Sequence, residues 1–363
     1  MKTIYYIFIL LLILTTGGLF AQDNHVVVEI TSIKSSAILV MPPCKILNSD
    51  TMDLINIHNP TNVSVSKGFI VFKADKVYSA KSFVLVSDEK VVNFKVNNKN
   101  FSYCGSIYLT VKDGRLKLSN TVGIEEYVRT VLVSEFTPNA SIEAIKAQSV
   151  AVRTYVFKKI QNKNYHLCDT THCQTYKGYV KNILYDEAIQ ATYGLVMTYG
   201  GSPISAMYCT DGGGATQSWK DVYGQANFPY LSTVKDPFPI NHKTWRFVVS
   251  DKDLSRKLGF TDVTGATVSA RYLSGRVKTI TFKTAKGNKS LTGEKLRVLL
   301  GNDNIKSTLF SVENKNNAVI FTGKGYGHGF GMCQRSCIVM AEKGWDFKRI
   351  LTYFYLGITF SKI

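Results

Sequence analysis

The feature that most narrows the fold is a change of hydrophobic period near Gly123. Over residues 22–120 apolar and polar residues alternate in short runs. Gly68-Phe69-Ile70-Val71-Phe72-Lys73, Ser82-Phe83-Val84-Leu85-Val86 and Ser106-Ile107-Tyr108-Leu109-Thr110-Val111 read as strands, and Asp113-Gly114 reads as the turn after the last. Strands of period two bury one face each, so this part is expected to be a β-rich region of its own. Beyond Gly123 the period becomes helical. Ile124 to Ser134 reads as one helix, and after Pro138 a second is expected from Ile142 to about Lys159, with Ile142, Ile145, Val152 and Val156 on one face. Ser141 is placed to cap it, and Glu143 sits favourably in its first turn. Leu195 to Tyr208 reads as extended up to the break at Gly212-Gly213-Gly214, and Val263 to Lys286 alternates around Ser274-Gly275. A strand from Ala318 to Thr322 leads into a glycine loop and two helices, about Met332 to Lys343 and Phe347 to Tyr355, the last capped by Asp346. The expected class is α+β: β-rich lobes packed with a few long helices, and no regular parallel βαβ sheet. Residues 22–120 form the N-terminal region and residues 121–363 a second domain.

The first 21 residues have the features of an export signal. A short basic start, Met1-Lys2-Thr3, precedes an almost wholly apolar run from Ile4 to Leu14, and small residues lead to Ala21. A leader cut after Ala21 is the expectation; an uncleaved anchor over residues 4–21 is the alternative, and would be the sole membrane attachment. The expected location is therefore secreted or at the cell envelope. Export argues against cytosolic nicotinamide chemistry and against nucleic acid as a partner. The chain has 44 Lys+Arg against 26 Asp+Glu, a net charge of +18, or +17 once Lys2 leaves with the leader. A basic exported protein suits an anionic wall polymer.

Several clusters carry chemistry. Glu135 follows Leu132 and Val133 and precedes Phe136; apolar surroundings favour the protonated carboxyl that a general acid needs, whereas an ordinary surface helix would leave it exposed. Lys146 and Arg153 are seven residues apart and lie within about 20° of each other on one helix face. His166, Cys168, His172 and Cys173 place two thiols and two imidazoles within eight residues, which is zinc-ligand character of a structural kind. In an oxidising compartment a Cys168–Cys173 disulfide is the competing reading. The seven cysteines are too few and too odd in number for a disulfide scaffold. Gly325-Tyr326-Gly327-His328-Gly329-Phe330-Gly331 follows a strand, but its glycines recur every second residue and fit no dinucleotide fingerprint. His328 and Gln334 are placed to face a groove as sugar contacts; a tight turn with a satisfied histidine is the alternative. Tyr208 to Thr216 forms a polar glycine loop, and no nucleophile elbow is present.

In this order these stretches resemble the family of stage II sporulation protein D (SpoIID) and the amidase enhancer LytB. The likeness runs through residues 122–158, the Cys168–Tyr176 loop, residues 208–237 with Pro229-Tyr230-Leu231, Ser274-Gly275-Arg276-Val277, Leu291-Thr292-Gly293, Ser307-Thr308-Leu309-Phe310 and residues 325–359. It implies a peptidoglycan lytic transglycosylase that cuts peptide-stripped glycan strands in the cell wall, with a role in sporulation and a cell-wall amidase as partner. The family's catalytic glutamate falls on Glu135. Its zinc loop falls on Cys168, His172 and Cys173, with His166 an approximate fourth. Lys146, Gln148, Arg153, Tyr155, His328 and Gln334 are the expected glycan contacts. Some positions depart from the family pattern. Cys209, Thr210 and Asp211 stand where His-Ser is usual, Arg335, Ser336 and Cys337 where aromatic-Gly-Ala is usual, and Phe136 where Met is commoner. Two other roles stay open: a non-catalytic enhancer of an N-acetylmuramoyl-L-alanine amidase, and a structural envelope protein.

Overall fold

The computed structural model describes residues 25–162 and 164–363; the leader expected over residues 1–21 lies outside the described residues. The chain forms two compact units. One holds the described residues up to Tyr127 together with Leu167–Asp169, the other Val128–His166 with Thr170–Ile363.

Both six-stranded sheets of the first unit are antiparallel throughout. One six-stranded sheet has the order His25–Ser35, Arg115–Gly123, Ser106–Lys112, Ser82–Val86, Cys44–Asn48, Leu54–Ile57. The other runs Lys99–Cys104, Val91–Val96, Ala37–Val40, Thr61–Ser66, Phe69–Lys73, Val77–Ala80. The alternation read from the sequence is the burial pattern observed: in His25–Ser35, Val26, Val28 and Ile30 point inward. Phe72 of one sheet meets Phe83 of the other edge to face, with ring centroids 5.1 Å apart. Asp113-Gly114 makes the expected hairpin turn, with φ of 51° and 69°.

Leu167–Asp169 joins this unit by adding to the strand His25–Ser35. Glu29 N–H donates to Leu167 O (2.9 Å), and Asp169 N–H donates to Glu29 O (3.2 Å). Asp169, 4% exposed, then accepts from Thr31 N–H (2.9 Å), Thr31 Oγ1 (2.7 Å), Ser32 N–H and Ser32 Oγ.

The second unit is built on the helix Ile142–Ile160 and three three-stranded sheets. Eleven of its residues are buried, among them Gln148, Ser149, Arg153 and Thr154. It is therefore a central helix, not the one-faced surface helix that its spacing suggested. It packs against the strand Leu195–Tyr199 and the helices Ile183–Ala191, Gln334–Glu342 and Phe347–Phe354. Ser141 occupies its N-cap position but makes no capping hydrogen bond, and its hydroxyl has no partner among the described residues. Asp346 caps as expected, accepting from Arg349 N–H at 2.7 Å. A separate core gathers around the sheets Thr244–Ser250/Ala318–Lys324/Phe310–Lys315 and Val263–Arg271/Val277–Thr284/Lys289–Thr292. Trp245, Leu254, Val277, Ile280, Phe282, Leu296 and Phe321 fill it. The architecture is α+β with β-rich lobes.

Asp169→Ala would remove the acceptor of four donors at once, two on half-buried Thr31 and two on exposed Ser32. Hydrogen bonds to a charged acceptor contribute about 1.5–3 kcal/mol each, shared here by one carboxylate. The expected loss is on the order of 2–4 kcal/mol, read as a lowered denaturant midpoint.

Candidate active site

Glu135 is the last residue of the helix Ile124–Glu135, which stops because Pro138 pushes Thr137 out of helical geometry. Its carboxylate is half-buried and has two donors. Oε1 accepts from Thr175 N–H at 2.5 Å, and Oε2 accepts from the Tyr208 hydroxyl. Gln174 Nε2 donates to Tyr208 Oη at 2.9 Å, which leaves the phenol's own proton for Glu135. Lys177 N–H reaches Ser134 Oγ at 3.1 Å. The apolar surroundings expected for Glu135 are thus replaced, on the side of residues 174–177 and Tyr208, by aimed donors.

Tyr208 is placed by strand pairing. Tyr208–Cys209 runs parallel to Met332–Cys333, in register Tyr208 with Met332 and Cys209 with Cys333. Gly331, φ +66°, is required there, because a Cβ would stand 1.9 Å from Met207 O. Arg276, fully buried, donates from Nη2 to Gly212 O at 2.7 Å, and a Cβ on Gly329 would come within 2.5 Å of its guanidinium. One arginine therefore locks both glycine loops together. His328 accepts Phe330 N–H at Nδ1 (2.9 Å), and its ring also hydrogen-bonds the backbone of Tyr208. Part of His328 is open to water, yet the crowded loop desolvates its ring. Desolvation, with the nearby Arg297 and Arg276 charges, pushes its pKa down to about 4, so the imidazole is neutral.

The loop beside Glu135 carries the sulfur and imidazole donors. Cys168, His172 and Cys173 each offer one ligand atom, all within 4.8 Å of one another. His172 Nδ1 and Cys173 Sγ are 3.4 Å apart. Among the described residues no disulfide is formed, between Cys168 and Cys173 or elsewhere. His166 stands outside that trio, with its ring centroid 6.4 Å from that of His172. Two thiols and an imidazole suit a soft or borderline ion. The group could bind a metal.

The other residues singled out in the sequence are spread through the unit. Lys146 pairs with Glu143 on its own helix at 2.7 Å, and Glu143 also accepts Phe347 N–H at 2.9 Å. Gln148, Arg153 and Gln334 are 0%, 0% and 6% exposed, so they pack inside the unit instead of lining its surface. Both polar atoms of the Gln148 amide lack a partner among the described residues, whereas Arg153 Nη1 donates to Leu195 O at 3.2 Å. Tyr155 is half-buried, with Lys159 Nζ 5.8 Å above its ring. Tyr208, Gln174 and Arg276 lay within quoted motifs, but nothing in their spacing pointed at Glu135.

Comparison with known proteins bears on this site. Residues 112–199, which contain Glu135 and the Cys/His loop, match the family described as stage II sporulation protein (SpoIID). Residues 249–331 match a domain of unknown function (DUF8618), which coincides with the separate sheet core. The chain is 29% identical to an uncharacterized protein of Brachyspira hyodysenteriae, covering 93% of each. It is 29% identical to the stage II sporulation protein D of Bacillus amyloliquefaciens over 66% of this chain and 75% of that one. It is also 29% identical to the amidase enhancer of Bacillus subtilis, over 64% of this chain but only 40% of that longer protein.

His328 makes a pH prediction. Its folded pKa of about 4 lies below the ordinary value of 6.5, so between those pH values the unfolded chain binds the extra proton. The stability it contributes is complete above pH 6.5 and is lost as pH falls towards 4. Between pH 7 and pH 4.5 the wild type should lose more stability than His328→Gln, measured by urea unfolding at each pH.

Proposed function

Because the chain belongs, through residues 112–199, to the stage II sporulation protein family, we propose that it is a peptidoglycan lytic transglycosylase acting on peptide-stripped glycan strands. What supports this most directly is the seating of Glu135: one carboxylate, half-buried, oriented by a phenol and a backbone N–H. A lytic transglycosylase needs a single acid/base carboxyl, whereas hydrolysing glycosidases use two. Glu135 protonates the glycosidic oxygen as the bond from N-acetylmuramic acid to N-acetylglucosamine breaks. The resulting carboxylate takes the proton of the muramic C6 hydroxyl as that oxygen closes on C1, giving a 1,6-anhydro end. No water is consumed. Tyr208, with its proton turned to Oε2 by Gln174, holds the carboxyl's orientation through both steps.

Cys168, His172 and Cys173 would hold zinc. When bound, the metal supplies structural rigidity to the loop that carries Gln174 and Thr175. The chain acts outside the cytoplasm, on a substrate whose exposed lactyl carboxylates match its positive charge. An amidase must remove the stem peptides first, so a cell-wall amidase is the expected partner. A second reading, a glycan-binding enhancer of such an amidase, is supported by the similarity to the Bacillus subtilis amidase enhancer.

Product analysis tests the reading. Protein from Gln22 onward, incubated with peptide-stripped strands, should yield 1,6-anhydromuramic ends by mass spectrometry, and Glu135→Gln should yield none. Tyr208→Phe should lower kcat by about 10- to 100-fold, within the range attributed to acid–base positioning. Reducing ends would mean hydrolysis, and intact strands with retained binding would leave the enhancer reading. For the loop, the expectation is near-stoichiometric zinc by elemental analysis, absent from Cys168→Ser together with a lowered thermal midpoint.

A further inference from the structure

The short helix Trp219–Tyr223 presents an aromatic surface that the acid chemistry does not use. Ser218 caps it and Gly224 ends it in the left-handed conformation. Trp219 lies under Tyr223, with ring centroids 4.2 Å apart, and is braced edge-on by Phe228 at 4.7 Å and by Phe330 at 5.3 Å. Phe330 is 5% exposed, so the base of this stack is fixed in the core, whereas Tyr223 is 50% exposed. The Trp219 indole N–H is out of water and has no acceptor among the described residues, so packing alone sets the ring's plane.

A chain of packing and hydrogen-bond contacts links this stack to the acid. Phe330 stacks on His328 at 5.5 Å and 26°, His328 touches the Tyr208 backbone, and the Tyr208 hydroxyl binds Glu135. Glu294 lies near enough to Tyr223 and to Tyr272 for its charge to raise both phenols. Burial raises both phenols and the Glu294 carboxyl, which keeps the two hydroxyls as donors at neutral pH. Ring faces with hydroxyl donors at their rim suit a pyranose, whose axial C–H face is apolar and whose equatorial edge is polar.

We propose that Tyr223, seated on Trp219 and Phe330, is a sugar-stacking subsite that holds a pyranose ring of the glycan strand away from the scissile bond. This rests on the glycan reading of the Glu135 site, since the occupant named is the same strand. Tyr223 acts through binding and takes no part in proton transfer.

The test uses the full mature chain carrying Glu135→Gln, so that strands are bound but not cut. Soluble peptide-stripped glycan strands are titrated calorimetrically. Tyr223→Ala should weaken binding by roughly 3- to 10-fold, the range of an aromatic contact, and Tyr223→Phe should stay within about 2-fold of the parent. Parent-like affinity in Tyr223→Ala overturns the proposal, as does a parent that does not bind strands. Should Tyr223→Ala misfold by near-ultraviolet circular dichroism, tryptophan emission decides. Strands should shift the parent's emission, and Trp219→Phe should remove that shift; an unchanged parent spectrum overturns the subsite. The two readings fail separately. Strands left uncut by wild type but bound more weakly by Tyr223→Ala sink the lyase and keep the subsite, and cleavage with unaltered affinity does the reverse.

Discussion

The carboxylate of Glu135 is the point on which the second unit's functional geometry depends. It joins three stretches of chain that are distant in sequence: the end of a helix at 135, the Cys/His loop at 174–175 and a two-residue strand at 208. Each supplies what the others lack. Pro138 ends the helix so that the side chain leaves its axis, the loop offers a backbone N–H, and the strand offers a phenol whose proton is turned by Gln174. A carboxyl held from two sides loses little orientational freedom when a substrate arrives, and positioning is where acid–base catalysis gains most of its rate. The same arrangement gives a loop that could bind a metal a place beside the proposed acid chemistry, which itself needs no metal. Thr175 is two residues from Cys173, so whatever fixes the thiols also fixes the N–H on Glu135.

The two glycine loops answer a different constraint, that of close approach. Tyr208–Cys209 and Met332–Cys333 pair in parallel over two residues only, too few for ladder hydrogen bonds to hold them alone. Gly331 lets the strands meet, and the buried Arg276 binds Gly212 while lying flat against Gly329. Two of the residues that depart from the family pattern, Asp211 and Ser336, sit beside this seam and are linked through His242 and Asp236. Asp211 accepts His242 Nδ1 at 2.6 Å, His242 Nε2 faces Asp236 at 3.1 Å, and Asp236 accepts Ser336 Oγ at 2.6 Å. Burial raises the Asp236 pKa, and Ser336 and His242 oppose that. Asp211 and Ser336 are thus two ends of one polar chain.

Much of this was legible from residue order, and the failures have physical causes. The strands of the first unit were readable because one face of each is buried, so period two survives in the sequence. Asp346 was readable as a cap because its neighbours leave it no other role. The helix Ile142–Ile160 misled: its apolar spacing suggested one buried face, yet Gln148, Ser149 and Arg153 are buried too, satisfied or enclosed by tertiary partners that no local pattern reports. The short helices Trp219–Tyr223, Asp251–Leu258 and Gly293–Leu300 escaped notice, since each is at most eight residues and too short to show a helical period. The structure brings together the three loop side chains Cys168, His172 and Cys173, which, like Glu135, were singled out by motif. Tyr208 and Gln174 were not, because a partner forty or seventy residues away is a property of topology and leaves no trace in spacing.

The positive charge of the chain takes on a narrower meaning in this setting. Arg153 and Arg276 are buried, and Lys146 is paired with Glu143, so the cations nearest the central helix and glycine loops serve the fold. Attraction to an anionic strand must then come from lysines and arginines dispersed over the surface. Such attraction is long-ranged, tolerant of position and screened within about 10 Å at 0.1 M salt. It can concentrate a polymer at the protein but cannot set which bond faces Glu135. That selection would need short-range contacts that ignore ionic strength, such as the Tyr223 ring of the proposed subsite and the uncharged His328. On the proposed reading, capture and register fall to different residues, and raising the salt concentration would act on the first while leaving the second in place.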